Sequence, residues 1–176
     1  MKLNHKKISD LIVIKPRVYK DMRGYFYEAY KNRELNKILG YKINFIQENI
    51  SFSKKNVFRG LHSQKKPFEQ NKLVKVLEGE ILDICVDIRK KGKDYLKHFF
   101  INLSSKNKKL LFIPCGFAHG FLVLSKYAKI SYLVDNLYSP ENEIGFNLND
   151  PKINIKLPIN KNKIVFSKKD KDFSFV

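Results

Sequence analysis

With 176 residues, the chain suits a single domain, taken here as 1–176, with a core of its own. Its formal charge of +18 comes almost wholly from scattered lysines, because arginine occupies only positions 17, 23, 33, 59 and 89; no aromatic-interleaved basic stripe accompanies them, which argues against a nucleic-acid binder. No apolar run approaches the roughly 20 residues of a membrane span, no stretch near the N-terminus reads as a secretory signal, and Cys85 and Cys115 are too few for a disulfide scaffold, so a cytoplasmic setting with free thiols is expected.

In chain order, short runs of β-branched and aromatic residues recur between Gly, Pro, Asn and Ser. They predict strands over 11–14, 24–28, 45–52, 73–77, 81–88, 98–103, 110–113, 121–124 and 130–134. Such spacing suggests a sandwich or barrel. One helix is expected over 32–39, with Asn32 as its cap and Gly40 just past its end. Glu78-Gly79-Glu80, between two apolar runs, reads as a hairpin turn, and only the lysine-rich last dozen residues are expected to be partly loose. Within 79–88, strand alternation sets Leu82, Ile84, Val86 and Ile88 on one face and Ile81, Asp83, Cys85 and Asp87 on the other. Asp83 reads first as a solvent-facing aspartate and second as a group that orients a reactive neighbour.

Two segments carry more chemistry than a strand needs. Arg59-Gly60-Leu61-His62-Ser63-Gln64, followed by Gln70-Asn71-Lys72, places a histidine and two cations among strand-forming residues, and unpaired charges are costly inside. Downstream stand Ile113-Pro114-Cys115-Gly116-Phe117-Ala118-His119-Gly120-Phe121, Tyr132, Tyr138-Ser139-Pro140-Glu141-Asn142-Glu143 and Ser167-Lys168-Lys169-Asp170. With Asp21-Met22-Arg23-Gly24-Tyr25-Phe26-Tyr27-Glu28 and Gln47-Glu48-Asn49-Ile50-Ser51-Phe52-Ser53 near the start, the chain resembles the dTDP-4-dehydrorhamnose 3,5-epimerases from about residue 8 to residue 170. The resemblance implies an all-β, double-stranded β-helix (cupin or jelly-roll) barrel with short helices, acting on a dTDP-linked keto-sugar as a homodimer, with neither cofactor nor metal.

It also implies an assignment of roles. A 4-keto sugar has acidic hydrogens on both carbons flanking its carbonyl, so inversion needs a base, an acid on the opposite face and a cation for the enolate oxygen. His62 matches the family's base and Asp170 the carboxylate that pairs with it; Tyr132 matches the proton donor, and Lys72 the cation at the keto oxygen. Arg23, Phe26, Glu28, Gln47, Asn49, Arg59, His119, Glu143 and Lys169 match substrate-binding positions, and Tyr138 matches the aromatic that stacks on thymine. Arg23 and Glu28 are expected to reach across the dimer interface. A metal-dependent cupin would need clustered ligands, whereas His62, His98 and His119 each stand alone in the sequence.

The chain departs from the family pattern at Ser63, where an aromatic is common, at Gly92-Lys93-Asp94-Tyr95, and in having no tryptophan. These departures bear on which sugar and nucleotide are bound. The readings left beside the 3,5-epimerase are a 3-epimerase, an epimerase of another nucleotide-linked keto-sugar such as a GDP-heptose, a 3,4-ketoisomerase and a sugar-nucleotide-binding module without activity.

Overall fold

The computed structural model describes residues 4–176. Strands follow one another as β1 (Asn4–Ile8), β2 (Leu11–Lys15), β3 (Val18–Asp21), β4 (Gly24–Tyr27), β5 (Gln47–Lys54), β6 (Phe58–Gln64), β7 (Lys72–Glu78), β8 (Glu80–Asp87), β9 (His98–Ser104), β10 (Leu110–Ile113), β11 (Phe117–Val123), β12 (Tyr127–Val134) and β13 (Glu143–Gly145). Helix α1 (Asn32–Leu39) follows β4, and α2 (Lys168–Lys171) lies near the C-terminus. The order β1-β2-β10-β7-β12-β5 builds one sheet and β13-β6-β11-β8-β9 a second, while β3 and β4 form a separate ribbon. This is the expected all-β barrel with short helices.

The two sheets close on each other because their inward rows are apolar. Val74, Val76, Leu111, Ile113, Ala128 and Ile130 from the first sheet meet Ile81, Cys85, Ile101, Leu103, Phe117 and Phe121 from the second in one buried cluster. Two further cores coat the outside. Leu148, Ile153 and Ile155 cover the outer residues Leu82, Ile84 and Val86, and Leu35 of α1 joins Ile43, Ile12, Ile14, Leu110 and Phe112 against the first sheet. No helix among the described residues is long and apolar enough to cross a membrane.

Four expectations need correction. The helix is capped at Lys31, with Asn32 already inside it, and no side-chain cap bond forms. Glu78-Gly79-Glu80 is not a hairpin, because β7 and β8 belong to different sheets and the turn carries the chain from one to the other. The C-terminal dozen is docked rather than loose: Asn147 donates to the carbonyls of Lys171 (3.2 Å) and Phe173 (2.9 Å), and Asp150 accepts from the amide of Val176. Asp83 is fully buried, since both faces of β8 are covered by core.

Candidate functional site

The mouth of the barrel holds a cavity of about 450 Å³ lined by Ser51, Arg59, His62, Lys72, His119, Tyr132, Lys169 and Asp170 together with apolar groups such as Phe121 and Ile130. A second recess of about 330 Å³ shares His62, Lys72 and Tyr132 with it and adds Gln47, Asn49, Gln70, Tyr138 and Glu143. Eleven of the fourteen residues singled out from the sequence thus converge on one connected cleft.

Strand geometry explains the convergence. On the second sheet, His62 of β6 pairs with His119 of β11 and, on its other side, with Gly145 of β13. On the first sheet, Tyr132 of β12 stands opposite Asn49 of β5 and Val74 of β7, and Lys72 lies two residues before Val74 on the same face. His62 and Tyr132 therefore enter the cavity from opposite walls. The loop carrying Tyr138 is tied down by Gln64, whose amide donates to the carbonyl of Leu137 (3.1 Å) and accepts from the amide of Ser139 (2.6 Å).

The polar groups are paired in a pattern that leaves some free for a ligand. His62 Nε2 lies 2.8 Å from Asp170 Oδ1, and the other Asp170 oxygen accepts from the amide of Gly60 at 3.4 Å. Burial pushes the Asp170 carboxyl up, but the bond and charge of His62 and the Gly60 amide outweigh it and hold it below the ordinary range. His119 Nε2 sits 3.0 and 2.9 Å from the two oxygens of Asp83. Tyr138 Oη donates to Glu143 Oε2 (2.7 Å), and the Lys169 ammonium pairs with the same oxygen. Despite desolvation, Lys169, Tyr138 and His62 together keep the Glu143 carboxyl low.

Lys72 differs: among the described residues no ion pair or hydrogen bond reaches its ammonium, and burial pushes its pKa down despite the more distant charge of Glu143 and Asp83. Burial likewise raises the Tyr132 phenol, against the charge of Arg59. Arg59 is held by Ser53 Oγ (2.9 Å) and the carbonyl of Phe52 (3.3 Å). Ser51 Oγ, on the cavity wall, is buried with no hydrogen-bond partner among the described residues. Such a hydroxyl is a ready contact for a polar ligand; Ser51 falls inside the family-like run 47–53 but is assigned no role there.

Arg23, Phe26 and Glu28 are not in the cleft. Arg23 pairs with Asp21 (2.6 Å), Glu28 with Lys31 (2.8 Å), and Phe26 is 65% exposed on the β3–β4 ribbon. Among the described residues, no group of three or more His, Cys, Asp or Glu is placed to hold a metal ion.

A barrel of this topology with a polar cleft of this kind has the form of a cupin-type enzyme, and comparison with known proteins narrows the class. The sequence profile of the family described as dTDP-4-dehydrorhamnose 3,5-epimerase matches residues 5–176. The dTDP-4-dehydrorhamnose 3,5-epimerase of Escherichia coli (strain K12) is 41% identical over 174 residues, covering 99% of this chain and 94% of the relative. The crystal structure of the dTDP-4-dehydrorhamnose 3,5-epimerase from Elizabethkingia anophelis NUHP1 superposes with a TM-score of 0.95 at 38% identity, over 99% of this chain and 97% of that one. The dTDP-6-deoxy-D-glucose-3,5-epimerase from Legionella pneumophila Philadelphia 1, solved in complex with dTDP-4-keto-L-rhamnose, gives 0.93 at 38% identity, over 98% and 92% of the two chains. The chain belongs to the dTDP-4-dehydrorhamnose 3,5-epimerase family and is an isomerase.

Proposed function

We propose that the protein converts dTDP-4-dehydro-6-deoxyglucose to dTDP-4-dehydrorhamnose by inverting carbons 3 and 5. The observation that carries this is the placement of His62 and Tyr132 on opposite walls of one cavity, with an unpaired Lys72 ammonium on the same wall as Tyr132.

His62 acts as the base. Asp170 engages Nε2, so in the neutral ring that nitrogen carries the proton and Nδ1 keeps the lone pair that takes hydrogen from carbon 3 or carbon 5. The electrons left behind form an enolate, whose oxygen is stabilised by the Lys72 ammonium; one preorganised donor of this kind is worth about 10²–10³ in rate. Tyr132 then returns a proton to the same carbon from the opposite face, which inverts it. Its burial supports the reading, because a phenol held neutral keeps the proton it must deliver. The proton on His62 and the one lost by Tyr132 are exchanged with solvent, so the step is a net isomerisation.

The remaining contacts sort along the substrate. Arg59 offers a planar fork to diphosphate oxygens, and Lys169, Gln47, Asn49, His119 and Glu143 offer polar contacts along the cleft. Tyr138 supplies a flat face for thymine. Arg23, Phe26 and Glu28 complete the cleft of a partner subunit in a homodimer; their place in or beside the β3–β4 ribbon, away from their own cleft, with Phe26 exposed, supports that assignment.

The test is to incubate the protein with dTDP-4-keto-6-deoxyglucose in heavy water and locate deuterium by NMR. Label at carbons 3 and 5 is expected. Label at carbon 3 alone would make the protein a 3-epimerase, and no label from folded protein would rule out the thymidine-linked substrate.

A further inference from the structure

His62 is held from two directions, and the second of these involves neither substrate nor Asp170. The ring of Phe173 meets the imidazole edge to face, with centroids 5.4 Å apart and planes at 82°. Phe173 does not line the cavity; Phe166, Ser167, Lys169 and Asp170 from the same segment do. It stands behind the histidine.

What brings Phe173 there is an absence on β13. Gly145 is the register partner of His62, and directly paired residues put their side chains on the same face. A Cβ at Gly145 would fall 2.1–2.2 Å from three atoms of the Phe173 ring. The phenyl ring therefore fills the space that a side chain at position 145 would take, flat on the strand and against His62. The tail is fixed in that seat by Asn147, two residues along from Gly145. Its side chain donates to the carbonyl of Phe173 at 2.9 Å, and its amide donates to the carbonyl of Ser174 at 3.3 Å.

We propose that Phe173, seated on Gly145, is a positioning residue for His62: it blocks the ring from turning away from the substrate, while Asp170 fixes which nitrogen is free. A single bond from Asp170 to Nε2 leaves the imidazole free to swing about that contact. An aromatic edge-to-face partner removes the swing and adds a modest attraction of its own. Near-attack geometry is sensitive to displacements of this size. The inference rests on the assignment of His62 as base, and its test includes a readout independent of turnover.

The test compares Phe173→Ala, Phe173→Leu and Phe175→Ala, the last being an exposed aromatic of the same tail. In Phe173→Ala, kcat is expected to fall roughly tenfold with KM within about twofold of the parent, because positioning is lost and binding is not. Phe173→Leu, which restores bulk, should recover most of the rate, and Phe175→Ala should change nothing. In substrate-free protein, the imidazole NMR signals of His62 should broaden or shift in Phe173→Ala and remain parent-like in Phe175→Ala. Gly145→Ala should reproduce the Phe173→Ala defect, and the double variant should be no worse than either single one. An unchanged kcat and His62 spectrum in Phe173→Ala, or an equal loss in Phe175→Ala, would overturn the proposal. Should Phe173→Ala not fold, the same readings on Gly145→Ala decide it. A parent enzyme inactive on the dTDP-sugar, with the His62 signals still perturbed by Phe173→Ala, would fault the substrate and leave the positioning intact.

Discussion

His62 and His119 are register partners across the β6–β11 ladder, and each is bonded through Nε2 to its own buried carboxylate, Asp170 or Asp83. Two imidazoles thus line one cavity, each with a carboxylate on Nε2, although one carboxylate comes from the adjacent strand of the same sheet and the other from the C-terminal helix.

The Asp83–His119 pair gives the first prediction. Asp83→Asn keeps the shape but removes a charge-assisted hydrogen bond, so kcat/KM should fall about 10- to 10²-fold on steady-state assay. A variant as active as the parent would mean that His119 needs no carboxylate to hold its pose.

Asp170→Asn should be more severe. Loss of the carboxylate removes both the tautomer preference and the support for the imidazolium, so kcat should drop by about 10²–10⁴. Stability should respond to pH as well. Asp170 and Glu143 both have folded pKa values below their ordinary ones of 3.8 and 4.5. Their contribution is therefore complete above those values and lost as pH falls through the lower, folded ones. Thermal melts should show Tm falling below about pH 4, less steeply in Asp170→Asn; parallel curves would refute the linkage.

Lys72 carries the opposite sign. Its folded pKa is lowered, so the charged form is penalised in the folded state below that value, and the penalty is relieved as pH rises towards the ordinary 10.5. Lys72→Met should therefore raise Tm by a few degrees, roughly, while costing about 10² or more in kcat. A variant that lost both stability and activity would point to a structural lysine.

Complementation tests the proposal that Arg23 completes a partner subunit's cleft. Mixed after unfolding and co-refolding, two inactive variants, His62→Asn and Arg23→Ala, should regain about a quarter of parent activity, since half the dimers are mixed and each has one intact site. No recovery, with mixed dimers present, would place Arg23 outside the partner's cleft.

The sequence made most strands and nearly the whole cleft legible, for different reasons. Runs such as 110–113 show directly as apolar blocks; Arg59, His62 and Lys72 stood out as charged groups in strand-like segments, and the other cleft residues came through the family resemblance. Alternation sorted the faces of β8 correctly yet left Asp83 misplaced, because a polar-dotted face looks the same whether it meets water or the inside of a barrel. The turn at Gly79 announced a change of direction but not which sheet the next strand would join, a fact settled only by long-range pairing. The Phe173–Gly145 contact left no trace, since it joins a lone aromatic in a lysine-rich tail to a glycine with no spacing between them to read.

The crossing at Gly79 has a mechanical consequence. Lys72 and Asp83 sit on consecutive strands of different sheets, so Glu78-Gly79-Glu80 is the spine of a book whose two pages form the two walls of the cleft. Gly79 has φ 80°, and a Cβ there would lie 2.1 Å from the carbonyl oxygen of Tyr127. Any side chain would pry the binding apart at its tightest stitch and reset the span between Lys72 and His119 without touching either page.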